Sequence, residues 1–269
     1  MPNVIKFNEP YLSGNEINYV NEVISNNSFA GNGAFTKKVQ SHLSDICSTK
    51  HSLLTHSCTG ALELSAMLLN IGPEDEVIVP SYTFVSTASA FLRNGAKIIF
   101  ADIDPHSLMI DVSDIELKIT EKTKAIVPVN YGGHSADILA LKRICSSNDI
   151  YLIEDNAQGL GSHSFDKPLG THGILGTLSF HETKNIHCVL GGALLINEDN
   201  LLNQAEDIWE RGTNRTKMLK GLVDKYTWVS PGSSFYPSEL QAAFLLAQLE
   251  SMDDNIAYRK KLCDEYDAH

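Results

Sequence analysis

The chain's 269 residues predict an α/β fold of three layers, a mostly parallel sheet between helices. Two observations carry this. Short β-rich runs alternate with amphipathic helical stretches along most of the chain, and those runs are apolar almost without interruption. A half-exposed strand alternates apolar and polar residues, whereas a strand covered on both faces needs apolar residues throughout, as in a buried parallel sheet.

The elements follow in order. Leu53-Leu54-Thr55 reads as a first strand, and a helix is expected over 60–69, with Leu62, Ala66 and Leu69 at helical spacing. Strands are expected over 76–79, 97–101, 124–129, 150–153 and 192–196, and Leu178-Ser179-Phe180 reads as a strand end. Between them, Asp137 caps a helix over 137–147 whose Leu141 and Ile144 face inward. From about Ser238 a helical pattern runs through Leu240, Ala243, Leu246 and Leu249 and turns highly charged towards His269. The expected organisation is an N-terminal segment (1–14), a large domain (15–237), and a long helix (238–269) leading into a truncated C-terminal domain.

Composition narrows the function. A net charge of −12 argues against nucleic-acid or anionic-membrane partners, which demand a basic face. Five scattered cysteines without a CxxC pair support neither a zinc knuckle nor a disulfide framework. Residues 1–6 lack the apolar stretch of a signal peptide and no run reaches membrane-spanning length, so a cytoplasmic protein is expected. No histidine pair has HExxH spacing and no Gly-Xaa-Ser-Xaa-Gly elbow occurs, so neither metal catalysis nor an α/β-hydrolase nucleophile is expected.

Lys184, in Ser179-Phe180-His181-Glu182-Thr183-Lys184-Asn185, and Asp155, after the strand 151–153, both fall at strand ends, where α/β sheets place ligand groups. A lysine amine that forms a Schiff base and a carboxylate that keeps a pyridine nitrogen protonated are what pyridoxal phosphate requires. The same two residues also suit a solvated surface lysine and a turn aspartate. The turn from His56 to Ala61 joins a strand to a helix, where small residues let amides converge on an anion, and Ser179 offers a further hydroxyl. At the 80–85 junction an aromatic residue suits either ring stacking or core filling. The segments 211–215 and 224–228 suit a nucleotide-sugar diphosphate or a carboxylate, or form a solvated loop.

Taken together, 57–59, 80–87, 179–185 and 224–228 resemble the DegT–DnrJ–StrS family of sugar aminotransferases, and the likeness runs from about Phe7 to Glu250. The resemblance implies a fold-type-I large domain with pyridoxal 5'-phosphate as cofactor. It implies Lys184 as the Schiff-base lysine, Asp155 as pyridinium partner and Gln158 at the phenolic oxygen. Cys58, Thr59, Gly60 and Ser179 then bind the phosphate, Phe84 stacks on the ring, and Asn214 reaches the neighbouring subunit's phosphate in a homodimer with shared active sites. The implied reaction moves an amino group from glutamate to C4 of a dTDP-4-dehydro-6-deoxyhexose, giving dTDP-4-amino-4,6-dideoxygalactose for polysaccharide biosynthesis. The alternatives are amination at C3, or an inactive truncated remnant; a sugar dehydratase of the same fold carries a His in place of the lysine. Two departures stand out: Leu190 occupies a place where the family has a Glu, and the family continues beyond the length of this chain.

Overall fold

A computed structural model describes residues 6–269; Met1 to Ile5, on which most of the leader-peptide reading rests, lie outside the described residues. The first half runs α1 (Glu16–Ser25), α2 (Ala34–Cys47), β1 (His51–Thr55), α3 (Cys58–Leu68), β2 (Glu76–Pro80), α4 (Ser86–Arg93), β3 (Lys97–Ala101), α5 (Val112–Lys118), β4 (Thr123–Ile126) and α6 (Ile138–Asn148). There follow β5 (Tyr151–Asp155), β6 (His163–Ser164), β7 (Lys167–Pro168), β8 (Leu175–Ser179), β9 (Gly192–Ile196), α7 (Leu202–Trp209), α8 (Arg215–Leu219), α9 (Glu239–Glu250) and α10 (Met252–Asp267).

Seven strands form one sheet in the order β1-β9-β8-β5-β4-β2-β3, while β6 and β7 make a separate hairpin. The pairs from β8 through β5, β4 and β2 to β3 are parallel, and β9 is antiparallel to both its neighbours. The mostly parallel sheet between helices is therefore present. Alternation within the apolar runs explains the three layers. Val77, Val79, Ile153 and Leu194 point to one face, against α3, α4 and α7. Ile78, Ile126 and Leu152 point to the other face, against α5 and α6, as do Leu54, Leu178 and Leu195, which meet α2 and α9. In the central strands, covered on both faces, each position is worth an apolar side chain, about 1.5–3 kcal/mol for each large one buried; the edge strand β3 departs from this, with Phe100 half-exposed.

Local rules place the ends. Asp137 caps α6 through Ala140 N at 3.0 Å, as expected. The strand expected over 124–129 stops at Ile126, because Pro128 has no N–H to continue the ladder; Val129 makes an isolated parallel bridge to Asp155. The helix expected from 238 is two helices broken at Ser251. A capping box between Ser238 and Gln241 opens α9. Buried Glu239 then accepts from the amides of Gly33, Phe35 and Thr36, satisfying the donors that open α2, which no side chain of its own caps. Among the described residues no helix is long and apolar enough to cross a membrane.

Candidate active site

The carboxyl ends of β5 and β8 and the amino ends of α3 and α4 enclose a cavity of about 480 Å³. Cys58, Thr59, Phe84, Asp155, Gln158 and Lys184 line it, as do Ser179 and Leu190. Of the site residues expected from sequence, seven therefore converge on one cavity.

Asp155 ends β5 and is only 4% exposed. Its Oδ2 accepts from Thr87 Oγ1 at 2.7 Å and its Oδ1 from Ala157 N at 3.2 Å. Burial pushes its carboxyl above the usual range, opposed by those two hydrogen bonds and by the charge of Lys184. The ionised form is thus under-compensated by the protein itself and suited to a cationic partner. Adjacent Glu154 faces the other way on the strand and is wholly buried. It accepts from the amides of Gly170, His172 and Gly173 and from Asn130 Nδ2, which fixes the floor beneath Asp155.

Lys184 follows β8 on a turn closed by Lys184 N donating to His181 O at 2.9 Å. It also lines a second cavity, of about 430 Å³, with Ser179, Gln158, Asn185 and Ile256. The amine thus stands between two spaces. Gln158 Oε1 accepts from Gly132 N at 2.8 Å, which leaves its Nε2 as the donor available to an oxygen atom.

Ser57 caps α3 through Gly60 N at 3.0 Å. The expected role of Gly60 therefore needs qualification: its amide is already taken, and Gly60 is not among the residues lining the cavity. The amides of Cys58 and Thr59, in the first turn of α3, have no intrahelical acceptor and carry the positive end of the helix dipole. Thr59 Oγ1 is held by Ser86 Oγ at 2.7 Å. A Cβ on Gly192 would lie 2.3 Å from Cys58 N, so only glycine lets β9 pass this close beneath the turn. The Cys58 thiol is pushed up by burial first and by Asp155 second, so it is an inert wall and not a nucleophile. Phe84 presents its ring to the cavity and is 71% exposed, so it does not fill core.

Asn214, like Gly60, is an expected site residue that does not line this cavity. Its amide is spent on its own chain: Nδ2 donates to Lys225 O at 3.0 Å and Thr227 Oγ1 at 3.1 Å, and Oδ1 accepts from Thr227 N at 2.8 Å. Leu190 lines the cavity as an exposed apolar side chain, and the preceding Val189 has φ +68°, a strained conformation for a β-branched residue. Sequence reasoning missed Thr87, Thr83, His181 and the Tyr82–Tyr131 ring pair at 4.6 Å. Thr83 and Thr87 stand one helical turn apart at the α4 entrance, a spacing visible in the sequence; the relay from Thr83 through Thr87 to Asp155 is not.

This constellation fits pyridoxal phosphate. A buried, under-compensated carboxylate suits a protonated ring nitrogen, the open amides of α3 with Ser179 suit a phosphate, and a primary amine lies in the same cavity. Among the described residues no group of His, Cys, Asp and Glu is arranged to hold a metal ion.

Comparison with known proteins agrees with the fold. Residues 10–269 match the model of the DegT/DnrJ/EryC1/StrS aminotransferase family. The chain is 31% identical over 258 residues to GDP-perosamine synthase of Vibrio cholerae, covering 96% of this chain and 68% of that one. Spr1654 of Streptococcus pneumoniae, solved in its PMP form, superposes with a TM-score of 0.90 at 27% identity, covering 98% of this chain and 72% of that one. Its PLP form gives 0.89 at the same identity, with 98% and 71% covered. PseC of Helicobacter pylori, an aminotransferase involved in the biosynthesis of pseudoaminic acid, gives 0.83 at 28% identity, with 92% and 66% covered.

Proposed function

The chain belongs to the DegT/DnrJ/EryC1/StrS aminotransferase family, and from that premise we propose that it is a pyridoxal phosphate-dependent sugar-nucleotide aminotransferase. One observation carries the reading: Lys184 and the buried, under-compensated Asp155 line the same cavity as the open amino end of α3. When bound, pyridoxal phosphate supplies a carbonyl that carries the amino group and an electron-withdrawing ring that makes the donor's Cα–H acidic.

The residues divide the remaining work. Asp155 holds the proton on the ring nitrogen, and Thr87 and Ala157 N keep its carboxylate aimed. The turn at Cys58 and Thr59, shaped by Gly60, would bind the phosphate together with Ser179, while Gln158 would donate to the phenolic oxygen and Phe84 would cover one ring face. Lys184 Nζ anchors the cofactor covalently. When free, that Nζ would act as the base that takes the proton from the donor's Cα and passes it to the cofactor's carbonyl-derived carbon, and in the second half-reaction it would carry a proton from that carbon to the sugar carbon that receives nitrogen.

For the substrates we favour glutamate as donor and C4 of a dTDP-4-dehydro-6-deoxyhexose as acceptor, on the motif His181-Glu182-Thr183 beside Lys184. A GDP-linked sugar is the rival raised by the Vibrio cholerae relative's name. We place the protein in the cytoplasm as a homodimer. Leu219, Leu222, Tyr226 and Trp228 are exposed in the segment that Asn214 organises, an apolar surface suited to a second copy. There Asn214, or the loop it holds, would meet the neighbour's phosphate.

The test is spectroscopic and then chemical. Protein mixed with pyridoxal phosphate should develop a visible band that glutamate converts to the pyridoxamine form. The converted protein should then aminate a dTDP-linked 4-keto sugar, with the position of nitrogen read by NMR. A band that glutamate leaves unchanged sinks the aminotransferase reading; turnover confined to GDP-linked or 3-keto sugars sinks the substrate assignment.

A further inference from the structure

The segment carrying Lys184 is held from outside the site. Asn255, in the first turn of α10, is 3% exposed, and its Nδ2 donates to the carbonyl of Asn185 at 2.6 Å. Its Oδ1 accepts from Arg259 Nε, one turn further on, at 2.8 Å. A guanidinium has donors and no acceptor, so Oδ1 faces Arg259 and the NH2 faces Asn185. The amide has one usable orientation, and it is the one that grips the Asn185–Ile186 peptide, one residue past Lys184. Neighbouring Ile256 lines the second cavity together with Lys184 and Asn185. The first turn of α10 therefore both walls the site and ties down the chain beside the amine.

We propose that Asn255 is a positioning residue for Lys184, fixing through the Asn185 carbonyl the backbone from which the amine reaches between the two cavities. The inference rests on the reading of Lys184 as the residue that binds pyridoxal phosphate. Upstream, the turn at 181–184 is closed by its own hydrogen bond. Downstream, buried His187 donates from Nε2 to Tyr11 O at 2.7 Å. Asn185 lies between these anchors with its own side chain exposed; buried Ile186 pins the chain on its far side, and the Asn255 contact adds the side-chain hydrogen bond that fixes the Asn185 carbonyl. A displacement of about 1 Å at a reacting group costs about a hundredfold in rate. Proton transfer at the donor's Cα should sense this position more than donor binding does.

The test uses Asn255→Asp and Asn255→Ala in the full chain loaded with pyridoxal phosphate. Asn255→Asp keeps shape and the Arg259 contact but turns an acceptor towards the Asn185 carbonyl; Asn255→Ala removes both contacts. Bound cofactor, the pH at which the visible band titrates, and the glutamate half-reaction are measured. Both variants should retain cofactor, lose about tenfold or more in maximal half-reaction rate with half-saturating glutamate changed less than about threefold, and shift the band's midpoint by about half a pH unit or more. Rates within about twofold of the parent, an unmoved midpoint, a loss that merely tracks lost cofactor, or failure of both variants to fold overturns the proposal. No visible band in the parent protein is a different failure: it overturns the reading of Lys184, and this inference with it.

Discussion

Replacing Asp155 by Asn should move cofactor affinity and cofactor-free stability in opposite directions. The amide fits: its oxygen can accept from Ala157 N, and its NH2 can donate to Thr87 Oγ1, which can turn to donate to Thr83 Oγ1 at 2.6 Å. No donor is orphaned, so the change removes little besides charge. With cofactor, losing the carboxylate leaves a buried ring cation unpaired, a penalty of about 3–5 kcal/mol that the ring relieves in part by shedding its proton. Affinity should then fall on the order of a hundredfold. Without cofactor the sign reverses. Burial raises the Asp155 carboxyl above its unfolded value, so its contribution to stability is fully present below about pH 4 and is lost as pH rises through the folded value. The Asn variant carries no such loss. Cofactor-free parent protein should therefore weaken relative to Asp155→Asn as pH rises from about 4 towards 8. Thermal unfolding across that range, with cofactor titration by absorbance, reads both signs. A cofactor-free variant that is less stable than the parent at every pH, or that binds cofactor equally well, would refute the reasoning.

Three further outcomes are expected. Glu154→Gln cannot accept from all the donors that meet the carboxylate, so urea unfolding should show a loss of about 3–6 kcal/mol, at about 1.5–3 for each charge-assisted bond lost; a loss under about 1 kcal/mol would show that the network matters little. Phe84→Ala, at an exposed ring, should leave the unfolding free energy within about 0.5 kcal/mol while weakening cofactor binding about two- to tenfold by titration. Val189→Gly should stabilise the protein by up to about 1 kcal/mol in thermal unfolding, because release of a left-handed β-branched residue outweighs the added chain entropy; a destabilised variant would mean that the loop tolerates this conformation at no cost.

What could be read from the sequence was what local physics controls. Most of the apolar runs became strands buried on both faces, the edge strand β3 being the exception, and Asp137 became a cap because its partner is three residues away. Lys184 and Asp155 were legible for a related reason: strand ends in an α/β sheet share one edge, so residues placed there meet. The rest depends on chain segments far apart in sequence. Thr87 reaches Asp155 across the sheet, Gly192 passes beneath the turn at Cys58, and Asn255 holds Asn185 from another helix. The break at Ser251 and the engagement of the Asn214 amide within its own loop were hidden for the same reason, since helical periodicity continues through the first and spacing cannot reveal the second.

The most direct measurement is reduction of the cofactor-loaded protein with borohydride followed by peptide mapping. The proposed site requires a single pyridoxyl label, on Lys184. A label on another lysine, or none on protein that binds the cofactor, would contradict it.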